Sequence, residues 1–189
     1  MGYYNELELR KFGWKSIGRN VMISTRASIY NHEQIEIDDN SRIDDFCLLS
    51  GKLKIGKNVF IGAFCNLAGG EKGIILEDLS CLSYNVQVFS QSDDYSGRTM
   101  TNPTVPDKYK KEYKKIVVIE KHSIVGAGSI IFPGVTLKQG TSVGAMSLIK
   151  RNTKPWSIYS GNPAKFIRYK KKDILKLEEV FLKEQQDKK

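Results

Sequence analysis

The chain has 189 residues, 40% of them hydrophobic, enough for one domain with a substantial core. It contains no run of about 18 apolar residues, so a membrane-spanning helix is not expected. Thirty Lys and Arg against 21 Asp and Glu give a formal charge of +9. That excess suits an anionic partner, whether nucleic acid, a membrane surface or a polyphosphate cofactor, and equally suits a solvated lysine-rich surface. No RNA- or DNA-binding signature accompanies the lysines, so nucleic acid is not the expected partner.

The N-terminal stretch "MGYYNELELRKFGW" is charged and lacks an apolar h-region, so a cytoplasmic rather than secreted protein is expected. Its Met-Gly start fits myristoylation poorly, because position 6 is Glu rather than Ser or Thr. Within it "NELELRKFG" (5–13) offers an Asn N-cap, a Leu/Leu/Phe face and a terminating Gly. Residues 1–13 are therefore expected to form a short capping helix that hides an open strand edge.

From residue 14 onward an aliphatic residue recurs every six positions. The ladder runs Ile17, Ile23, Ile29, then Ile37, Ile43, Leu49, Ile55, Ile61 and Leu67, then Leu76, Leu82 and Val88. It ends with Ile119, Val125, Ile131, Leu137, Val143 and Ile149. Six is neither the 3.6 period of a helix nor the 2.0 period of a strand. Four positions after many of these residues the side chain is small, as at Ser41, Cys47, Cys65, Ser80, Ser129 and Ser147. The pattern predicts a solenoid: each hexad is a short strand and a turn, and three hexads close one triangular coil. Eighteen ladder positions make about six coils over residues 14–150. A long helix is excluded because Pro133, Gly134, Gly140 and Gly144 would lie within it. Cys47 and Cys65, one coil apart, should stack as reduced core fillers. With Cys81 they form no CxxC, which fits a cytoplasmic setting and no metal site.

Three interruptions break the beat: a two-residue shift at "YNHEQIEI" (30–37), a three-residue insertion at "AGGEKGII" (68–75), and a long excursion between Val88 and Ile119. The last carries about 25 residues beyond a normal step, too many for a passive connection. This extruded loop, 89–116, holds Asp93, Asp94 and Tyr95 and is the first candidate for substrate contact. The ladder stops at Lys150, and residues 151–189 form a C-terminal segment. There "KDILKLEEVFLKEQQ" (172–186) predicts a helix with Ile174, Leu177, Val180 and Phe181 on one side, for packing or for contact with another subunit.

The ladder, "FGWKSIGRNVMIS" (12–24), "SQSDDYSG" in the loop and "GNPAK" after the last coil together resemble the hexapeptide-repeat acetyltransferases. They are similar in particular to the subgroup that O-acetylates sugars of O-antigens and capsules. The resemblance implies an all-β, left-handed parallel β-helix. It also implies acetyl-coenzyme A as co-substrate, a sugar or nucleotide-linked sugar as acceptor, and a homotrimer with active sites between subunits. In that family the Gly-Asn-Pro-Ala-Lys element lies near the cofactor, which makes Asn162 and Pro163 candidates. Lys150, Lys165 and Arg168 are natural partners for its phosphates. Backbone near Gly126, Ala127, Gly144 and Ala145 could run along the pantetheine arm, although glycines there also suit a coil turn. Trp156 and Tyr159 could flank the adenine or anchor the tail.

Acyl transfer to a hydroxyl needs a general base, and His suits that task near neutral pH. Of His32 and His122, the second follows the loop directly and is the better candidate, with Asp93 and Asp94 orienting it or binding sugar hydroxyls. Simpler galactoside and maltose acetyltransferases keep their His five residues before Pro-Gly-Val, a place held here by Gly128. Asn66 and Asn85, in the middle coils, are candidate sugar contacts. An amino-sugar acceptor, giving N-acetylation, is the alternative, because a neutral amine needs less help from a base. A non-catalytic solenoid or a γ-carbonic-anhydrase-like protein is an alternative of another class. Two scattered histidines are a poor zinc set for the latter.

Overall fold

The structure is a computed structural model describing residues 2–186, with no account of the side chain of Gln186. Met1 and residues 187–189 of the terminal segments lie outside the described residues. The chain winds into a parallel β-helix with three flat faces. The first face stacks six short strands, from Ser16–Ile17 through Ile35–Ile37, Leu53–Ile55, Ile74–Leu76 and Val117–Ile119 to Thr136–Leu137. The third face stacks six more, from Ser28–Ile29 to Leu148–Ile149.

Register explains the six-residue beat. Ile17 lies over Ile37, then Ile55, Leu76, Ile119 and Leu137 on the first face, each in parallel register with the next. Sixteen of the eighteen ladder side chains are buried, and Ile17 and Ile29, in the first coil, are partly so. Each fully buried aliphatic contributes about 1.5–3 kcal/mol, so the ladder is the principal source of stability. The small residues fill the corners. Ser41 Oγ donates to the Gly56 carbonyl at 2.7 Å and Ser129 Oγ to the Gly144 carbonyl at 3.0 Å, which satisfies buried hydroxyls across adjacent coils. Cys47 and Cys65 are buried in the same way, their thiols donating to the carbonyls of Gly62 and Ser83. The Cys47 sulfur beside it, together with burial, pushes the Cys65 thiol up.

The second face differs from the expectation of about six coils. It holds seven parallel strands, because Ser157–Gly161 pairs with Ser142–Val143 as a further rung and then folds back antiparallel on Ala164–Tyr169. The aliphatic ladder misses this rung because Tyr159, an aromatic only 16 residues after Val143, takes the register position beside it.

Two helices flank the coil, the second along the corner between its first and second faces. The first, α1 (Glu6–Arg10), has a capping box: the Glu8 amide donates to Asn5 Oδ1 at 2.9 Å and the Asn5 amide to Glu8 Oε2 at 2.7 Å. Leu9 buries itself, and Trp14 Nε1 donates to the Leu9 carbonyl at 2.7 Å. His32, in the 3-10 turn His32–Gln34 at the first phase shift, stacks on Phe12 at 5.2 Å, and burial lowers its pKa. The second helix, α2 (Ile174–Gln186), lies at the far end of the chain. The extruded loop is anchored at its root by an antiparallel ribbon pairing Gln91–Ser92 with Tyr113–Lys114.

Candidate functional site

At most corners the coil turns by placing one residue in the left-handed conformation, three positions after the ladder residue. Asn20, Asn40 and Asn58 take that place on the corner between the first and second faces, with φ of 54–61°. Asn tolerates this conformation better than most residues. His122 occupies the same corner, with φ 61°, and its backbone amide is bonded to the Asp78 carbonyl of the preceding coil. The imidazole side chain is 2% exposed, and its Nε2 lies 2.8 Å from Glu178 Oε2 of α2. Glu178 also pairs with Lys121.

This arrangement gives His122 a partner that the sequence does not announce. Asp93 and Asp94 are not brought to it, because the loop leaves the prism after the third face whereas His122 lies on the far side of the first. Asp94 instead organises the loop, accepting from the Ser96 amide and hydroxyl at 2.9 Å and from the Thr99 hydroxyl at 3.2 Å. The Ser96 hydrogen bonds hold its carboxyl below the usual range. Asp93 is partly exposed beside it, and Tyr95 is 93% exposed.

Glu178 was outside the helix face that the apolar pattern singles out. Ile174, Leu177, Val180 and Phe181 are 39, 69, 55 and 37% exposed in the single chain, and α2 meets the prism through Glu178. Burial opposes the Glu178 charge, but hydrogen bonds from Lys121 and His122 prevail and hold its pKa below 4.5. The sign follows from the lowered folded value. The pair stabilises α2 fully above the ordinary carboxylate pKa, and that contribution is lost as pH falls through the folded value. The protection of α2 amides, with exchange normalised to the intrinsic rate at each pH, is therefore expected to fall as the pH drops below the ordinary carboxylate range while that of the coil strands does not. Equal protection of α2 across that range would contradict the role given to Glu178.

At the same C-terminal end of the coil, beside the last rung of the third face, opens a cavity of about 460 Å³ lined by Leu148, Lys150, Arg151, Asn152, Tyr159 and Pro163, among others. The "GNPA" segment is the turn between the last two strands, with a cis Asn162–Pro163 bond, so Pro163 reaches the cavity and Asn162 is exposed at the tip. Lys165 and Arg168 lie exposed on Ala164–Tyr169. Two cations beside apolar and aromatic walls fit a phosphorylated, partly apolar ligand such as coenzyme A. Lys150, Arg151 and Tyr159 would hold it. Arg151 carries no periodic signal, and its basic neighbour Lys150 was the available clue.

Coil packing explains the nearby small residues without a ligand. A Cβ on Gly126 would meet the Ala145 amide nitrogen at 2.5 Å, and one on Gly144 would meet Ser160 Oγ at 2.5 Å. Ala127 and Ala145 belong to the same stacked turns. Trp156 is buried at the His122 corner, with its ring 2.4 Å from where a Cβ on Gly140 would stand, so it anchors the tail. Asn66 and Asn85 lie on the third face and its corner, in adjacent coils. Among the described residues no group of three or more His, Cys, Asp or Glu is placed to hold a metal ion.

Comparison with known proteins agrees with this layout. A family profile described as the hexapeptide repeat of succinyl-transferase matches residues 52–89 and 116–146, leaving out the extruded loop. The dTDP-4-amino-4,6-dideoxy-D-glucose acyltransferase of Escherichia coli is 39% identical over 184 residues, 96% of this chain and 95% of that protein. The crystal structure of AntD, an N-acyltransferase from Bacillus cereus, in complex with dTDP and 3-hydroxybutyryl-CoA, is 45% identical. It superposes with a TM-score of 0.96 over 97% of this chain and 98% of AntD. A mitochondrial γ carbonic anhydrase of Arabidopsis thaliana is 30% identical over 124 residues, 62% of this chain and 44% of its own length. With a full-length relative at this identity and the hexapeptide coil in hand, the chain belongs to the hexapeptide-repeat family of sugar acyltransferases.

Proposed function

We propose that the protein transfers an acyl group from acyl-coenzyme A to the amino group of a dTDP-linked 4-amino-4,6-dideoxy sugar. The observation that carries this reading is the full-length match to an acyltransferase and an N-acyltransferase named for, or bound to, dTDP ligands. The setting of His122 supports it. A sugar hydroxyl must lose its proton to a base as it attacks, whereas a neutral amine already carries a free lone pair. The amine nitrogen attacks the thioester carbonyl carbon, the C–S bond breaks, and the sulfur leaves as thiolate. A proton passes from the nitrogen to the sulfur, giving an amide and free coenzyme A thiol. An imidazole bound to Glu178 is not required by this sequence. N-acylation thus takes precedence over the O-acetylation to which the sequence motifs pointed.

The Lys150 cavity holds coenzyme A in this reading, and Asp93, partly exposed in the loop, faces the ammonium form of the acceptor. The active species is a homotrimer with sites between prisms, a reading supported by the exposed Phe46, Phe64, Met146 and Leu177. A cytoplasmic location fits the unpaired thiols of Cys47, Cys65 and Cys81.

The test is an acceptor panel with thiol release as readout. dTDP-4-amino-4,6-dideoxyglucose is expected to turn over and dTDP-glucose, which offers hydroxyls alone, is not. Turnover of dTDP-glucose at a comparable rate would restore the O-acyl reading. His122→Ala separates the mechanisms further. Its kcat is expected to stay within about tenfold of the parent, because loss of a true general base costs about 100-fold or more. A larger loss with α2 still protected from exchange would make His122 the base.

A further inference from the structure

At the corner between the second and third faces, bulky residues stand where the turn favours Asn or Gly. Phe46, Phe64 and Met146 hold the left-handed conformation there, with φ of 60, 64 and 57°, in line with Asn85 and Gly128. Strain of this kind persists only where other contacts offset it. The chain itself leaves all three at least half exposed, and Phe46 and Phe64 stack on each other at 5.0 Å. The corner between the first and second faces carries α2, which turns Glu178, Leu182 and Gln185 toward the coil. Ile174, Leu177 and Phe181, three and four residues apart, form a stripe along one flank of the helix and are exposed. The third corner carries the extruded loop, with Tyr95, Met100 and Tyr109 exposed. Loop and helix share one level of the prism. The loop leaves after Gln87–Phe89 and rejoins at Val117–Ile119, and Glu178 is bonded to His122, three residues further on.

We infer that α2 of one copy packs its Ile174–Leu177–Phe181 stripe on the extruded loop of a second copy, and so completes the partner's acceptor site. The inference rests on the homotrimer proposed above. Exposed apolar surface of this kind marks contact sites, which sets the strained aromatic corner of each prism on the threefold axis. The second face of each prism then looks across a cleft at the third face of its partner. The corner that carries α2 bounds the mouth of that cleft on one side, and the partner's loop bounds it on the other. Cyclic symmetry permits no shift along the axis, so elements at one level of the prism meet across the mouth. The apolar stripe then faces the loop's exposed Tyr95, Met100 and Tyr109. Charge agrees: Glu184, three residues beyond Phe181, ends the stripe in a carboxylate, and the loop offers the exposed Lys108 and Lys111.

Leu177→Glu tests the contact, read by light scattering and by amide hydrogen exchange in residues 93–112. The parent is expected to be a trimer with a protected loop. The variant should stay a trimer, because the aromatic corner holds the axis, while its loop exchanges at least about tenfold faster. Its KM for the acceptor should rise at least about tenfold with coenzyme A affinity unchanged. Lys176→Glu, outside the stripe, should leave the loop protected. Isotope-labelled Leu177→Glu chains assembled with an excess of unlabelled parent distinguish contact between copies from contact within one. Their loops should regain protection, because the parent's α2 covers them. Loops that stay fast in such mixed trimers would overturn the inference, and so would a trimeric Leu177→Glu variant with the parent's loop protection. Either result leaves the trimer standing. A parent that is monomeric at assay concentration would overturn both.

Discussion

Leu82→Ala is expected to lower the free energy of unfolding by about 3–5 kcal/mol, the cost of a buried leucine cavity that the surroundings cannot close. For a domain of this size that is a fall of roughly 6–20 °C in melting temperature. Leu82 is fully buried in the strand Cys81–Leu82, in register with Ile61 below and Val125 above. Each coil of a solenoid touches its neighbours alone, so a defect in a middle coil weakens two interfaces at once. The two sides of the prism are then free to melt separately, and calorimetry should show a broadened or split transition. The extruded loop departs a few residues later, after the Gln87–Phe89 strand, so acyl transfer should fail at temperatures where the parent is active. Leu82→Met, which nearly conserves volume, is the control and should cost less than about 1.5 kcal/mol. A loss under 1 kcal/mol for the alanine variant would mean that the coil collapses around the gap, and the stacked-ladder account would be wrong.

The fold was legible because one physical demand repeats. Every coil must bury an aliphatic side chain at three edges, and that demand writes itself into the sequence every six residues. The seventh rung escaped because Tyr159 meets the same demand with a ring and a shorter spacing. The site was less legible because contact between remote segments leaves no periodic trace. The existence of α2 followed from its pattern, but Glu178 joins the prism through charge, and nothing in "KLEEVFL" marks one Glu over the other. For His122 a signal was present. It stands three residues after Ile119, the offset that carries Asn20, Asn40 and Asn58 after their own ladder residues and Gly140 after Leu137. That offset identifies a left-handed corner, and so assigns the backbone of His122 before any chemistry is considered.

Lys150→Glu is the variant expected to separate the two substrates most sharply. Lys150 and Arg151 are the cations lining the cavity at the last rungs, whose remaining walls include Leu148, Tyr159 and Pro163. Lys150 lies over the Phe132 ring at 5.6 Å and is exposed, so its charge contributes to ligand attraction more than to stability. A hydrogen bond to a charged group contributes about 1.5–3 kcal/mol, and replacing the ammonium by a carboxylate adds repulsion. A rise of about 10- to 150-fold in the dissociation constant for coenzyme A follows, taking tenfold per 1.4 kcal/mol. The parent affinity should fall with salt, and the variant should show a shallower slope because one phosphate-facing charge has reversed. Affinity for dTDP should not move, since the extruded loop proposed to meet the acceptor leaves the third face after Gln87–Phe89, two rungs before Leu148. Lys176→Glu makes the same charge change on α2, outside the cavity, and controls for the overall field. If both lysine variants weaken coenzyme A equally, the cofactor responds to net charge, and the Lys150 cavity is not its phosphate site.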